Sequence, residues 1–372
     1  MFAKTTMFTG SVALLVGALL AMPLTTATAG KPSGGSPIRI EDLGKPVGSV
    51  TSGAGGINDF GNVVVGGAYW NATLDYPNRN YAARWTRSTS GAWQAEDLRT
   101  LIPNTKESGA MQVNNAGTVT VRSLDTVDSQ YHSLVITSLN AVIDLGANVF
   151  PNGLNESGAM VGYRYDPGGQ PLVPLFWSSP TAAPQVLPVI AADYGGEAAW
   201  FDGTDILGTS DDASGRWLVR WSASSGTWQV TPIVRLPIGT VAVTGMNSAG
   251  RLALCVCDPF PCDLLQKNAR AAVWDPPYTQ LPTYLPTLAG PKSYPGVVME
   301  DGTVVGRVIA SNGVDMLPVI WSTPTTVTAL PLLVGGKAGG VGRVNAYRQI
   351  TGSVDVPVKG RSTSHAVVWT LP

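Results

Sequence analysis

The chain has 372 residues, with Lys+Arg 24 against Asp+Glu 25 and a formal net charge of -1, which excludes the basic footprint of a nucleic-acid binder. Charged residues make only 13% where a soluble domain usually carries roughly 25%, hydrophobic residues make 44%, and 43 glycines and 28 prolines interrupt the chain about every five residues. Long helices, coiled coils and wholesale disorder are thereby excluded, and a turn-rich β chain able to bury a large core remains.

Residues 1–29 read as an export signal: Lys4 is their one charge, residues 11–22 form an apolar run of twelve, and Ala27-Thr28-Ala29 precedes Gly30. A membrane anchor needs about 20 apolar residues, so this run is too short to span, and no other stretch is long and apolar enough. The expected organisation is a signal peptide over 1–29, a linker over 30–37 and one domain over 38–372, exported to the periplasm or the extracellular space with no membrane span.

The first expected strand is Ile38-Arg39-Ile40-Glu41-Asp42-Leu43-Gly44. A longer unit follows it. Ile57-Asn58-Asp59-Phe60-Gly61 reads as a hairpin turn into Val63-Val64-Val65-Gly66, since Asn and Gly tolerate the positive φ of tight turns. An apolar strand, Ala83-Arg84-Trp85-Thr86, comes next, and Trp93-Gln94-Ala95-Glu96-Asp97-Leu98 completes a set of four strands.

This unit repeats. The turn recurs at Asn114-Asn115-Ala116-Gly117, Asn155-Glu156-Ser157-Gly158 and Asn247-Ser248-Ala249-Gly250, with shortened copies at Asp202-Gly203, Glu300-Asp301-Gly302 and Asn345-Ala346. The Trp strand recurs at Trp177, Trp221, Trp274, Trp321 and Trp369, with Ile136 as a degenerate copy. Gaps of 51, 41, 44, 53, 47 and 48 residues separate them, near the roughly 40–50 of a four-stranded propeller blade. The last unit ends at Leu371-Pro372 without a fourth strand, and Ile38 to Gly44 has the acidic-Leu-Gly ending of Ile143-Asp144-Leu145-Gly146. The expected fold is all-β: a seven-bladed β-propeller of four-stranded blades, closed by the N-terminal strand completing the last blade. An open sandwich or a β-helix explains that exchanged strand less directly.

Ser364-His365-Ala366-Val367-Val368-Trp369 and Asn58 to Gly66 resemble the HAF-repeat extracellular proteins, named for a His-Ala-Phe run before the Trp strand; Val367 departs from the Phe, and Tyr131-His132-Ser133-Leu134 is a weaker copy. The resemblance implies a secreted propeller and carries no catalytic residues. Ser222-Ala223-Ser224-Ser225-Gly226-Thr227-Trp228 resembles the Asp-box of sialidases with Ser224 in place of Asp, and residues 88–93 echo it; in that family the box is a turn between third and fourth strands.

Candidate chemistry is sparse. Cys255, Cys257 and Cys262 form one cluster, and the Cys257-Asp-Pro-Phe-Pro-Cys262 spacing favours a local disulfide, with connectivity open. Zinc would want a fourth ligand, and a reactive thiol would want a partner base. His132 and His365 hold matching places in their units, as packing or hydrogen-bonding groups must. Five tryptophans outside the repeat, Trp70, Trp93, Trp200, Trp217 and Trp228, are candidates for stacking on sugar rings. Asp193 with Glu197, and Asp211 with Asp212, fall in joining segments, where solvated loops are the ordinary outcome. Phosphate loops and calcium loops are missing from the sequence, so no metal, cofactor or catalytic residue is assigned.

Loop length and composition single out 71–80, 190–197, 258–267 and 284–294. On one propeller face these would present Asp75, Tyr76, Arg79, Asp193, Tyr194, Glu197, Lys292 and Tyr294 as a rim for a glycan, peptide or protein. The expected function is a secreted non-enzymatic binding or scaffold propeller. A polysaccharide hydrolase or lyase on the same scaffold is the alternative, and a purely structural subunit of an envelope assembly a third.

Overall fold

Runs of β-branched and small residues punctuated by Asn-Gly turns build strands almost throughout. In the computed structural model the described residues are 37–372, apart from 71–78, 103, 166–171, 202, 225, 258–268, 289 and 359–360. β1 (Arg39–Asp42) precedes blade one, which is β2 (Thr51–Ile57), β3 (Val63–Trp70), β4 (Arg79–Arg87) and β5 (Trp93–Asp97). Blade two is β6 (Thr105–Val113), β7 (Val119–Asp125), β8 (Tyr131–Ile136) and β9 (Val142–Ala147). Blade three is β10 (Val149–Leu154), β11 (Met160–Tyr165), β12 (Leu172–Trp177) and β13 (Gln185–Val186). Blade four is β14 (Gly196–Phe201), β15 (Asp205–Asp212), β16 (Gly215–Ser224) and β17 (Thr227–Arg235). Blade five is β18 (Thr240–Met246), β19 (Leu252–Cys257), β20 (Ala269–Trp274) and β21 (Thr283–Tyr284). Blade six is β22 (Ser293–Val298), β23 (Val304–Ile309), β24 (Met316–Thr323) and β25 (Thr326–Ala329). Blade seven is β26 (Ala338–Val344), β27 (Gln349–Val358) and β28 (Arg361–Thr370), with β1 as its outer strand.

The molecule is therefore a seven-bladed propeller of antiparallel four-stranded sheets. β1 pairs with β28 from Arg39↔Thr370 to Asp42↔Val367, and the Leu43 amide donates to the Ala366 carbonyl at 2.9 Å. This exchange covers the edge that β28 would otherwise leave open, and it ties both ends of the domain into one sheet.

The core is a set of apolar seams between neighbouring blades. Trp85, Trp177, Trp221, Trp321 and Trp369 are fully buried, Ile136 fills the same place in blade two, and Trp274 is nearly covered. Each indole packs back on the preceding blade: Trp321, for example, lies among Ala271, Val273 and Leu285 of blade five. Four of them also donate their ring N–H to a connector carbonyl, Trp85 to Gly44, Trp221 to Pro188, Trp321 to Pro286 and Trp369 to Pro331, the last three at 2.6–2.7 Å. The repeated Trp is thus both a hydrophobic wedge and a polar latch.

The repeated Asn clasps blade to blade. Its Oδ1 closes its own turn, accepting from Thr118 N in blade two, Arg251 N in blade five and Gln349 N in blade seven. Its Nδ2 then donates to the next blade's turn, from Asn114 to Asn155 O at 3.0 Å, from Asn247 to Met299 O at 3.2 Å, and from Asn345 round to Asn58 O at 3.0 Å. A second tier follows at the next residue, with the Asn115 amide on Glu156, Ser248 on Glu300 and Ala346 on Asp59. The turn ends in a positive-φ glycine in blades one to six, while Arg348 takes that conformation in blade seven.

The histidine of the motif also has a sheet role. His365 Nδ1 meets Asp42 Oδ2 at 2.9 Å, and His132 Nδ1 meets Asp144 Oδ2 at 2.8 Å, so each links the third strand to the outer strand of its blade. The following residue, Ala366, is fully buried and gives its amide to Ser52 Oγ of blade one. Equivalent bonds join Ala82 to Ser108 and Ala271 to Ser293. The Asp-box-like segments are turns between third and fourth strands: the Ser88 amide donates to the Ala92 carbonyl, and Gly91 and Gly226 both have positive φ.

Candidate functional site

Every inner strand is bulged near its turn. Register shifts fall between Ala54 and Gly56, Ala110 and Gln112, Pro151 and Gly153, Ala198 and Trp200, Val243 and Gly245, Pro295 and Val297, and Val341 and Val344. The second strand accommodates this with a glycine in five blades, since a Cβ at Gly66, Gly162, Gly208, Gly306 or Gly352 would lie 2.0–2.3 Å from an inner-strand carbonyl oxygen. A bulge leaves its extra residue unpaired and re-aims it. Gly55, Ala199, Thr244, Gly296 and Gly342 keep most of those places small, whereas Met111 puts a long apolar side chain there and Asn152 and Arg343 put long polar groups there.

Those two side chains build a polar crossbar. Arg343 Nη2 of blade seven donates to the Asn152 carbonyl of blade three at 3.3 Å, and Gln112 Nε2 of blade two donates to the same oxygen. Asn152 Nδ2 in turn donates to Glu197 Oε1 at 2.8 Å and to the Ala198 carbonyl at 3.2 Å in blade four. Burial raises the Glu197 carboxyl pKa, and the Asn152 hydrogen bond and the Arg216 charge offset this only in part. Burial also pushes the nearby Tyr163 hydroxyl up to about 12, aided by the Glu197 charge. Arg343 keeps contact with solvent in the channel, yet the surrounding blades displace enough water to lower its guanidinium pKa.

A cavity of about 730 Å³ opens beside this crossbar, on the face that carries the Asn turns. Blade four supplies Trp200, Phe201, Asp205 and Arg220, blade five supplies the 246–250 turn and Tyr278, and Glu300 and Arg343 complete the wall. Blades four and five seal through β16 and β17 against β19 and β20, by Leu218, Ile233 and Val234 against Leu252, Leu254 and Trp274. Their inner strands stand apart, and in β18 only Gly245 is buried. A second pocket of about 100 Å³ shares Ala199 and Trp200 and reaches Glu197, Arg216 and Thr240, whose buried Oγ1 has no hydrogen-bond partner.

The cavity's carboxylates are already engaged. Asp205 accepts from Ser222 Oγ at 2.6 Å and lies 3.6 Å from Arg220, and Glu300 accepts from the Ser248 amide at 3.1 Å and from its hydroxyl. Arg343 has no carboxylate partner among the described residues. The arrangement can hold a ligand by ring stacking, by hydrogen bonding and through the Arg343 guanidinium.

The residues expected on the loop rim are spread out. Asp75 and Tyr76 lie outside the described residues. Arg79 starts β4 in blade one, Asp193 and Tyr194 are exposed in the connector to blade four, and Lys292 and Tyr294 stand at the start of blade six, with Arg307 over the Tyr294 ring at 5.3 Å. No two of those blades adjoin. Glu197 is the one rim residue that joins the crossbar, and the large cavity opens on the opposite face. Asp211 and Asp212 serve their hairpin, Asp211 through Arg216 at 2.9 Å and Asp212 through the Ser214 and Gly215 amides.

Of the five non-repeat tryptophans, Trp200 lines the cavity. Trp70 is buried beneath Arg99, and Trp93, Trp217 and Trp228 give their ring N–H to Glu41, Asp212 and Gln185. Cys257 is disulfide-bonded, Cys255 is a free buried thiol whose pKa burial raises, and Cys262 lies outside the described residues. Asn152 and Arg343 escaped the sequence reading because a bulge leaves no mark in hydrophobic alternation; a long polar residue where most sister units carry a small one is the signal that finds them.

No protein-family profile matches the sequence, and no curated protein matches it. Solved structures do match in fold. The β-propeller domain of the Trilobed protease from Pyrococcus furiosus is similar at 9% identity with a TM-score of 0.53, covering 86% of this chain and 94% of that one. A catalytically inactive virginiamycin B lyase from Staphylococcus aureus, solved with quinupristin, is similar at 10% identity and a TM-score of 0.50, over 90% and 100%. Pyrococcus horikoshii acylaminoacyl peptidase matches at 8% identity and 0.53, over 88% of this chain but 52% of that one, so the chain spans about half the peptidase. Such identities show fold alone: the protein is a seven-bladed β-propeller, similar in architecture to domains of enzymes and to a lyase.

Proposed function

We propose that this is an exported, non-catalytic recognition or scaffold propeller of the HAF-repeat kind, and that its ligand enters the cavity between blades four and five. The observation that supports this is a division of labour. The repeated Trp, Asn and Ser residues are occupied in holding blade to blade and the His residues in holding strands within a blade, while Trp200, Asp205, Tyr278 and Arg343 differ from their counterparts and line the cavity. Diversity at equivalent positions of a ring is where recognition is free to evolve.

The test is a screen of glycans, polysaccharides and peptides against the exported protein and its Trp200→Ala variant, scoring binding and product release together. Saturable binding that Trp200→Ala removes is the expected result. Release of reducing ends or unsaturated sugars would show turnover and replace this reading with a polysaccharide hydrolase or lyase. N-terminal sequencing of exported protein is expected to begin at Gly30.

A further inference from the structure

We infer that the cavity takes an acidic sugar, a uronate-bearing oligosaccharide whose carboxylate pairs with Arg343; this rests on the recognition reading above. Three observations carry it. The first is charge. Arg343 donates to the Asn152 carbonyl at 3.3 Å and has no carboxylate partner among the described residues, although a guanidinium offers five N–H donors in a fork that fits a carboxylate. Asp205 and Glu300, the acids of the same cavity, are taken up by Arg220 with Ser222 and by Ser248. Arg343 is therefore the cavity guanidinium whose fork no described carboxylate takes up, and an anion brought to it gains charge-assisted hydrogen bonds.

The second observation is the fixed place of that charge. Arg343 reaches from blade seven to the Asn152 carbonyl of blade three, an acceptor that Gln112 of blade two also engages, and the Asn152 side chain is tied to Glu197 and Ala198 of blade four, so the guanidinium is anchored on a braced point. A cation positioned in advance gives up little freedom when it binds.

The third is the wall. Trp200 and Phe201 are half-buried beside the cavity, and ring faces of that kind suit the C–H faces of sugars. The volume of about 730 Å³ falls within the roughly 300–1,000 Å³ of small-ligand sites and fits a short oligosaccharide. Glu300 and the polar groups of the 246–250 turn can bond hydroxyl groups, which a sugar has in number. A sugar that brings a carboxylate to Arg343 and hydroxyls to the rest of the lining matches both kinds of group.

The experiment is calorimetric titration of the whole protein with trimers of galacturonate, mannuronate and guluronate, the methyl-esterified galacturonate trimer, maltotriose and an acidic tripeptide. At least one uronate trimer is expected to bind. Its esterified form or maltotriose should bind at least about tenfold more weakly, Arg343→Gln should weaken the acid by a similar factor, and Arg343→Lys should lose less. Melting curves establish that each variant is folded, and the acid-to-ester ratio on the unaltered protein tests the idea if Arg343→Gln does not fold. An ester or maltotriose that binds as tightly as the acid overturns the acidic-sugar inference and leaves the recognition reading standing. Failure of every uronate trimer overturns it too. Binding of the tripeptide alone overturns the sugar assignment, and loss of all binding in the broader screen is what brings down the recognition reading itself.

Discussion

Replacing Gly162 with alanine tests the link between the bulged inner strand and the crossbar. A Cβ at Gly162 would sit 2.1 Å from the Phe150 carbonyl oxygen, 2.8 Å from Pro151 Cα and 2.9 Å from Phe150 C. Carbon and oxygen tolerate about 3.2 Å, so the backbone of β10 must retreat by roughly 1 Å, and no side-chain rotation relieves a clash with main chain. Overpacking of this sort, with disturbed pairing at Pro151↔Gly162, costs about 3–4 kcal/mol. Gly109→Ala is the matched control, because its Cβ meets nothing within 4 Å and its backbone lies outside the positive-φ region. That change should stabilise by about 0.5 kcal/mol through the unfolded chain. At about 2 °C per kcal/mol in a long domain, Gly162→Ala should melt about 6–8 °C below the parent and Gly109→Ala at or slightly above it. Because Asn152 rides on the same bulge, Gly162→Ala should also weaken ligand binding. Melting followed by near-ultraviolet circular dichroism is the assay, and a Gly162→Ala protein melting within a degree of the parent would refute the close-approach argument.

Four further outcomes are expected. Trp321→Ala removes a fully buried indole and its bond to the Pro286 carbonyl, and should cost about 3–5 kcal/mol in chemical denaturation. For His132, burial works against the charged ring, but the hydrogen bonds of Asp128 and Asp144 outweigh it and raise the pKa, while the His132 hydrogen bond chiefly lowers that of Asp128. The histidine contribution is complete below the unfolded value of about 6.5 and is lost as pH rises through the raised folded pKa. The Asp128 contribution is present above its ordinary value and is lost as pH falls through its depressed one. The stability advantage over His132→Asn should therefore peak between about pH 4 and 6.5, and an advantage that grows toward pH 8 contradicts it. Thiol titration should find no reactive cysteine in the native protein, one in denaturant and three after reduction, in keeping with the buried Cys255 thiol and the disulfide at Cys257. A chain beginning at Lys45 lacks β1 and uncovers the β28 edge, so light scattering should find it associated rather than monomeric.

The fold was legible because a ring repeats its contacts. One unit written seven times left its Trp wedge, its Asn turn and its outer strand visible at a regular spacing, and the missing last strand turned up at residues 38–44. Even the role of His132 and His365 followed from their matching positions, since groups that recur around a ring hold the ring together. The site was much less legible. Loop length pointed to one face, where Arg79, Tyr194 and Tyr294 stand on separate blades, whereas the larger cavity opens on the face of the short turns. Glu197 was found for its place in a connector, but its partner Asn152, 45 residues away, was not, and neither was Arg343, which meets Asn152 from 191 residues away.

Sequence by itself determined the blade count, the order of strands within each blade, the closing exchange and the residues that seal neighbouring blades, because all of these depend on local pattern and on repetition. Tertiary structure alone decided which unrepeated residues meet across the channel. It also decided that blades four and five part along their inner strands, because a bulge and a seam of unequal width arise from how successive sheets splay, and the residues involved are remote in the chain.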